Sequence, residues 1–423
     1  MTTAPPERGR LRRLAIDTTP FRVARDFRLL WCGELVSQVG SQITLVALFV
    51  QVYRQTGSSA AVGLIGLVQL VPMAFVSIGL GPQIDLRDRR RLLQVAQFGL
   101  MFASILLFVG ARMGNPPLAL LYLAAAINAG FMSLAMPTRA AMIARIMPAD
   151  LLPSAAALNQ AMWNGAAVIG PALGGVVIAQ LGLTWAYGID VCSYFAALAA
   201  AFLVHSQIPV RADGAEAQRG VAAIREGLHY LKGKRVLQST FTIDIVAMVF
   251  GMPRVVFPAL AATQFHRGPE IVGWLLSAVA IGAFCGALGS GWVGAIRRQG
   301  LAIIIAVTVW GSAIVAFGLV GDNLGLALVA LAVAGGADVI SAVFRGSIQQ
   351  RVVPDELRGR LTAFNILVVA GGPRLGDLEG GLVASAFSPT VSVVSGGLLC
   401  LAGVGVITLA VPRFARWRTG DPP

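Results

Sequence analysis

Long apolar runs separated by short polar or charged stretches fill the chain from about residue 29 to residue 411. The runs exceed the roughly 18 residues that mark a membrane-crossing helix. Inside hydrocarbon the backbone must satisfy its own hydrogen bonds, so such runs are expected as helices. The pattern predicts twelve spans, near 29–52, 60–81, 91–112, 117–138, 156–180, 184–205, 238–263, 270–295, 301–320, 324–346, 360–386 and 389–411. The expected organisation is a cytoplasmic tail (1–25), a six-helix bundle (26–206), a polar linker (207–236), a second six-helix bundle (237–412) and a short tail (413–423).

The two bundles are related in sequence. Shifting the chain by 206 positions lays Arg139 to Val177 on Arg345 to Val383. Arg139 falls on Arg345, Arg145 on Arg351, Pro148 on Pro354 and Asn159 on Asn365, while Gly165, Gly170, Gly174 and Gly175 fall on Gly371, Gly376, Gly380 and Gly381. A second match at an offset of 210 lays Gly63 through Gly81 on Gly273 through Gly291. Apolar runs coincide by chance, but arginines, prolines and glycine pairs at fixed spacing do not. Parallel repeats in a membrane chain point to a secondary transporter whose substrate sits between the halves.

Composition agrees. A chain that is 56% hydrophobic and 13% charged is not an ordinary soluble globule. The net charge of +13 could suggest nucleic acid, but its distribution argues against that. With both termini placed in the cytoplasm, only Arg54, Arg112 and Arg267 lie outside and only Arg254 and Arg374 lie within spans. This is the positive-inside bias, and it sets the orientation; membrane lipids are the expected contacts of the basic surface. Cys32, Cys192, Cys285 and Cys400 sit singly in apolar segments and suggest neither a disulfide framework nor a zinc site.

Between spans 2 and 3, Gly81, Asp85, Arg87, Arg89, Arg90 and Arg91 resemble the loop motif of the major facilitator superfamily, with Leu86 and Asp88 departing from it. The segments Arg254–Ala261, Pro354–Arg360 and Trp185–Gly188 are similar to its siderophore-exporter branch. Gly170, Pro171, Gly174 and Gly175 in span 5 resemble the core of a motif from its drug–proton antiporters. The resemblance implies an all-α membrane protein of twelve transmembrane helices in two six-helix pseudo-symmetric bundles. It also implies that Asp85 docks on the cytoplasmic end of span 11 as part of a gate. Independently of any family, Pro171 removes a backbone donor, and glycines four apart let a neighbouring helix come close.

The acids inside apolar spans are the most informative positions: Glu34, Asp190, Asp244, Asp338, Asp377 and Glu379. Each costs about 2.5–3.5 kcal/mol at mid-bilayer if unrelieved. Together they would cost roughly 15–20 kcal/mol, more than the roughly 5–15 kcal/mol stability of a domain. Each must therefore be paired, protonated, interfacial or turned toward water. Asp377, Glu379, Asp244, Asp338 and Glu34 are the candidates for proton coupling, with span 11 ranked first. There, Arg374 and Asp377 stand three apart and can pair, which would leave Glu379 unmatched. Asp190 lies close enough to the outer end of span 6 to be solvated there. Asp244 and Arg254 are ten residues apart, roughly 15 Å along a helix, so each needs a partner elsewhere. Arg345 and Arg139 read as structural residues near the cytoplasmic ends of their spans. Arg254, Arg374, Asn128, Asn159, Asn164, Trp163 and Gln69 are candidates for the substrate cavity.

No phosphate-binding loop occurs, and Gly289–Gly294, which matches a dinucleotide fingerprint, has no strand before it. The three histidines form no metal set, so neither metal nor cofactor is expected. The sequence thus points to a monomeric secondary transporter of the cell membrane, exporting a small organic molecule, a siderophore-like metabolite or a drug, in exchange for protons. Three rivals remain: a metabolite importer of the same fold, a membrane-embedded enzyme, and a non-transporting receptor or scaffold.

Overall fold

The computed structural model describes residues 17–79, 87–206, 225–226 and 229–419. Its long helices are α1 (Arg25–Thr56), α2 (Ser59–Gly79), α3 (Arg89–Arg112), α4 (Leu118–Ile146), α5 (Leu152–Gln180) and α6 (Leu183–Leu203). The second half begins with α7, which is broken into Arg235–Phe250, a 3-10 turn at Arg254–Val256, and Phe257–Thr263. It continues with α8 (Pro269–Leu288), α9 (Gln299–Leu319), α10 (Leu324–Val352), α11 (Asp355–Ala386) and α12 (Pro389–Ala410). Among the described residues, eleven of these elements are long and apolar enough to cross a membrane. The exception, α11, has the length at 32 residues but carries Arg374, Asp377 and Glu379.

The ends of the helices follow from local chemistry. At the end of α1, Gly57 takes a left-handed conformation (φ 63) and its N–H caps the Tyr53 carbonyl, which an L-residue would do at a cost. At the opposite end of the molecule, α4 and α10 run about two turns further than the apolar pattern predicted and stop at equivalent places. Met147 and Val353 are extended there (ψ 136 and 122), because Pro148 and Pro354 disfavour a helical residue before them. One structural difference from the sequence reading lies in span 7, expected as one helix. Pro253 cannot donate to a helical ladder and clashes with the turn before it, and the chain breaks between Phe250 and Arg254.

The packing repeats itself at a step of six helices. Within the first half α1 packs on α6 and α5, α2 on α4, and α3 on α4 and α6. Within the second half α7 packs on α12 and α11, α8 on α10, and α9 on α10 and α12. The two main contacts between halves, α2 with α11 and α5 with α8, also exchange under the same step. This is a pseudo-twofold. It leaves α4 and α10, whose main packing is internal to their halves, and α1 and α7 around the middle.

Candidate functional site

The contact between the halves is concentrated at the Gly57 end. A Cβ added to Gly63 of α2 would collide with the Asp377 carbonyl of α11, and one added to Gly273 of α8 would collide with the Pro171 carbonyl of α5. These are equivalent collisions: the repeat offsets relate Gly63 to Gly273 and Pro171 to Asp377. Likewise Gly381 lies against Ser59 and Gly63, while Gly175 lies against Pro269 and Glu270. Main chain rests on main chain with no side chain between, which is the close approach that small residues permit. Hydrogen bonds across the seam are few. Ser385 Oγ accepts from the Ala60 N–H at 2.8 Å and lies 3.2 Å from Ser58 Oγ, and Ser277 Oγ donates to the Val168 carbonyl at 2.7 Å.

Further from that end the helices part. Leu70 still approaches Gly371, but Val71 and Phe75 are 67% and 73% exposed, and nothing lies near a Cβ built on Gly165. Apart from Gly165, the glycines flagged in the repeat have close neighbours. Gly170 and Gly174 admit Gln42 and Ile43 of α1, as Gly376 admits Met248 and Val249 of α7.

Two buried ion pairs occupy the bundles. Arg139 of α4 pairs with Glu34 of α1, and its guanidinium stands 5.5 Å from the ring centre of Trp163. Arg345 of α10 pairs with Asp244 of α7 at 2.8 Å and donates to Ser341 Oγ at 3.0 Å. The pairs are copies of one another, since Glu34 and Asp244 are 210 positions apart and Arg139 and Arg345 are 206. Both arginines are buried at 8%, although they stand near the expected ends of their spans. The extra length of α4 and α10 carries them into the bundle. The second site holds one more carboxylate: Asp338 Oδ1 lies 4.0 Å from Arg345, with its side chain 33% exposed. The equivalent position in the first half is Met132.

Span 11 is arranged differently from the sequence reading. Asp377 does not pair with Arg374. It is held bidentately by Arg254, with Nε donating at 2.7 Å and Nη2 at 2.5 Å, and it is buried against Gly66 of α2. The break in α7 brings Arg254 to it. Arg374 instead donates to the Ala370 carbonyl of its own helix at 2.6 Å. Glu379 is half-buried with no partner among the described residues, and it shares a face with the exposed Leu375 and Leu382, turned away from α2. Asp190 is not solvated near its helix end. It is wholly buried, because α1 and α3 extend past it on either side.

Of the remaining candidates, Gln69, Asn128, Asn159, Trp163 and Asn164 are all half-buried, and Asn164 accepts from Gln160 at 3.0 Å. Gly81 and Asp85 lie outside the described residues. Arg89 donates to the Ala141 carbonyl, and Arg90 donates to the Ala201 and Phe202 carbonyls, so these two tie α3 to the C-terminal ends of α4 and α6. Arg87 and Arg91 are exposed. A groove of about 850 Å³ between α1, α3 and α6 is lined by apolar residues such as Val36, Phe108 and Ile189, together with the exposed Trp185, and belongs to the bundle's outer surface.

Two six-helix halves related by a pseudo-twofold, closed at one end and parted toward the other around buried charge, are the architecture of a secondary transporter of the major facilitator fold. Within that class, the chain belongs to the transmembrane secretion effector family, whose family model matches residues 16–418. It is 27% identical over 399 residues to the enterobactin exporter EntS of Citrobacter koseri, covering 94% of each chain. It is also 27% identical over 408 residues to the multidrug efflux pump Tap of Mycolicibacterium fortuitum, covering 93% of this chain and 98% of that one. Solved structures of similar fold include a bacterial homologue of the iron transporter ferroportin in an inward-facing state (TM-score 0.69, 14% identity, 92% of this chain and 98% of that one). Another is a POT family transporter in complex with 5-aminolevulinic acid (TM-score 0.75, 11% identity, 92% and 97%).

Proposed function

We propose that this transporter exports a small organic amphiphile across the cell membrane in exchange for protons, and that Asp338, Asp244 and Arg345 form its coupling site. The reading rests on one observation: two carboxylates share one guanidinium in the second half, where the first half has a single pair. With Arg345 neutralising Asp244, the charge on Asp338 has no cation of its own. A partly enclosed carboxylate without a counter-charge is costly and favours binding a proton. The pair of acids then titrates as a unit, and a proton or a cationic portion of the substrate can occupy it in turn. The positive-inside bias puts the Gly57 end outside and both termini in the cytoplasm. The conformation described is then sealed to the exterior and parted toward the cytoplasm, the state in which an exporter takes up its load. The enterobactin and multidrug exporters among the relatives support a metabolite or drug as substrate, and outward transport over import. The protein is taken to work as a monomer within its lipid surroundings.

The test uses inside-out vesicles, a panel of catecholate chelators and lipophilic dyes, and an imposed pH gradient. The parent protein is expected to accumulate at least one of these, and Asp338→Asn to lose gradient-driven uptake while retaining exchange of labelled for unlabelled substrate. Gradient-driven uptake by Asp338→Asn at the parental rate would overturn the assignment.

A further inference from the structure

Asp190 of α6 plays no part in that scheme, although it is the most deeply enclosed acid of the first half, with 0% exposure. Its surroundings are hydroxyls. Thr44 Oγ1 donates to Oδ2 at 2.8 Å and Ser104 Oγ donates to the same oxygen at 2.5 Å, while Ser193 Oγ lies 3.4 Å from Oδ1 and donates chiefly to the Asp190 carbonyl. Among the described residues, no cation faces it from a neighbouring element. From α1 come Ser41 and Thr44, and the acid on that face, Glu34, is three turns away and paired with Arg139. From α3 comes Ser104, with Arg112 two turns further along. Helix α5 contains no ionisable side chain. On α6 itself stand Tyr187, which donates to Gln51 at 2.7 Å, and Tyr194. Hydroxyl donors alone do not offset the loss of water around a full negative charge, so the enclosed carboxyl is expected to carry a proton.

That proton has a way out. The Tyr194 hydroxyl is 2.9 Å from Ser41 Oγ, and Ser37 and Asn128 stand beside it. Ser37, Ser41 and Thr44 are four and three residues apart, one face of α1, and a row of hydroxyls inside an apolar helix must be matched by partners. Ser41 and the Asn128 side of α4 are half-buried, not sealed. A carboxyl serving only as a structural hydrogen-bond acceptor needs no such row. The second half has nothing equivalent, since the repeat offsets put Gly396 and Cys400 at this place.

We propose that Asp190 is a second proton-binding site, filled and emptied from the central cleft along Asn128, Tyr194, Ser41 and Thr44. Loading adds one proton to the carboxylate, and each hydroxyl on the track accepts one proton and passes one on, so that only Asp190 changes charge. This extends the proton-coupled reading but does not depend on Asp338 being its site.

Infrared difference spectroscopy on the full chain in liposomes tests it, with exchange into heavy water between about pH 5 and pH 9. The parent is expected to show a protonated-carboxyl stretch that is absent in Asp190→Asn, present in Asp338→Asn, and bleached as pH rises. In Tyr194→Phe the same band should remain at its frequency but exchange its hydrogen at least tenfold more slowly. Two results overturn the proposal: a band that persists in Asp190→Asn, or one that neither bleaches with pH nor responds to Tyr194→Phe. Since Asp190→Asn preserves shape and hydrogen-bonding capacity, an unfolded variant would itself count against a site that is normally neutral. Failure of the Asp338 assignment would show instead in vesicle uptake, leaving the Asp190 band untouched.

Discussion

Arg139 and Arg345 are copies of one residue in two settings. In the first half the guanidinium meets one carboxylate, Glu34, and the face of Trp163. In the second it meets Asp244, Ser341 and, at longer range, Asp338, while the position of Trp163 is taken by Val369. The first arrangement is balanced in charge and backed by an aromatic ring. The second has an acid in excess and lacks the ring. A duplicated scaffold thus supplies two equivalent sites, and two substitutions, Met132 against Asp338 and Trp163 against Val369, separate a charge-balanced pair from one with a carboxylate in excess.

The contrast can be broken in several ways. The largest effect is expected from removing the arginines. Breaking a buried pair costs about 3–5 kcal/mol, and Arg345→Met strands two carboxylates where Arg139→Met strands one. Thermal unfolding in detergent should therefore show the greater loss for Arg345→Met, and equal losses would remove the distinction drawn here. Next come the seam glycines. Gly63→Leu and Gly273→Leu overpack equivalent contacts at a cost of about 1–3 kcal/mol, enough to move the balance of conformations about tenfold. Spin labels at Ser58 and Ser385 should separate in both variants, and a response from only one would show that the seam is not twofold. Ser385→Ala removes two hydroxyl contacts at the same seam and should cost about 0.5–1.5 kcal/mol, read by thermal unfolding in detergent. An effect of similar size is expected of Trp163→Leu. Loss of the ring over Arg139 should lower stability by about 0.5–2 kcal/mol, whereas Val369→Leu in the other half should leave it unchanged.

Much of the architecture was legible beforehand, because a membrane span announces itself by composition. All the apolar runs but the seventh, which is broken at Pro253, became continuous long helices with ends shifted by up to about two turns, and most of the duplicated glycines and prolines proved to be the contacts and stops of a twofold fold. The site was harder to read. Spacing along one helix suggested Arg374 with Asp377, but α11 packs so closely on α2 that Asp377 turns to Arg254, presented by a break in α7 that an apolar run conceals. Glu379, expected on a different face and unmatched, lies on the face of Leu375 and Leu382 without a partner among the described residues. A stronger signal went unused. The offset that superimposes Gly63 on Gly273 also superimposes Glu34 on Asp244, and with Arg139 on Arg345 it names both ion pairs from sequence alone.

The seam at the Gly57 end carries a kinetic consequence. Its facing surfaces are mostly bare backbone, latched among the described residues by a handful of serine hydrogen bonds and by no ion pair between the halves. Separating them therefore breaks little that water cannot replace, and the barrier to opening that door should be low. A bias of a few kcal/mol is then enough to decide which way the molecule faces.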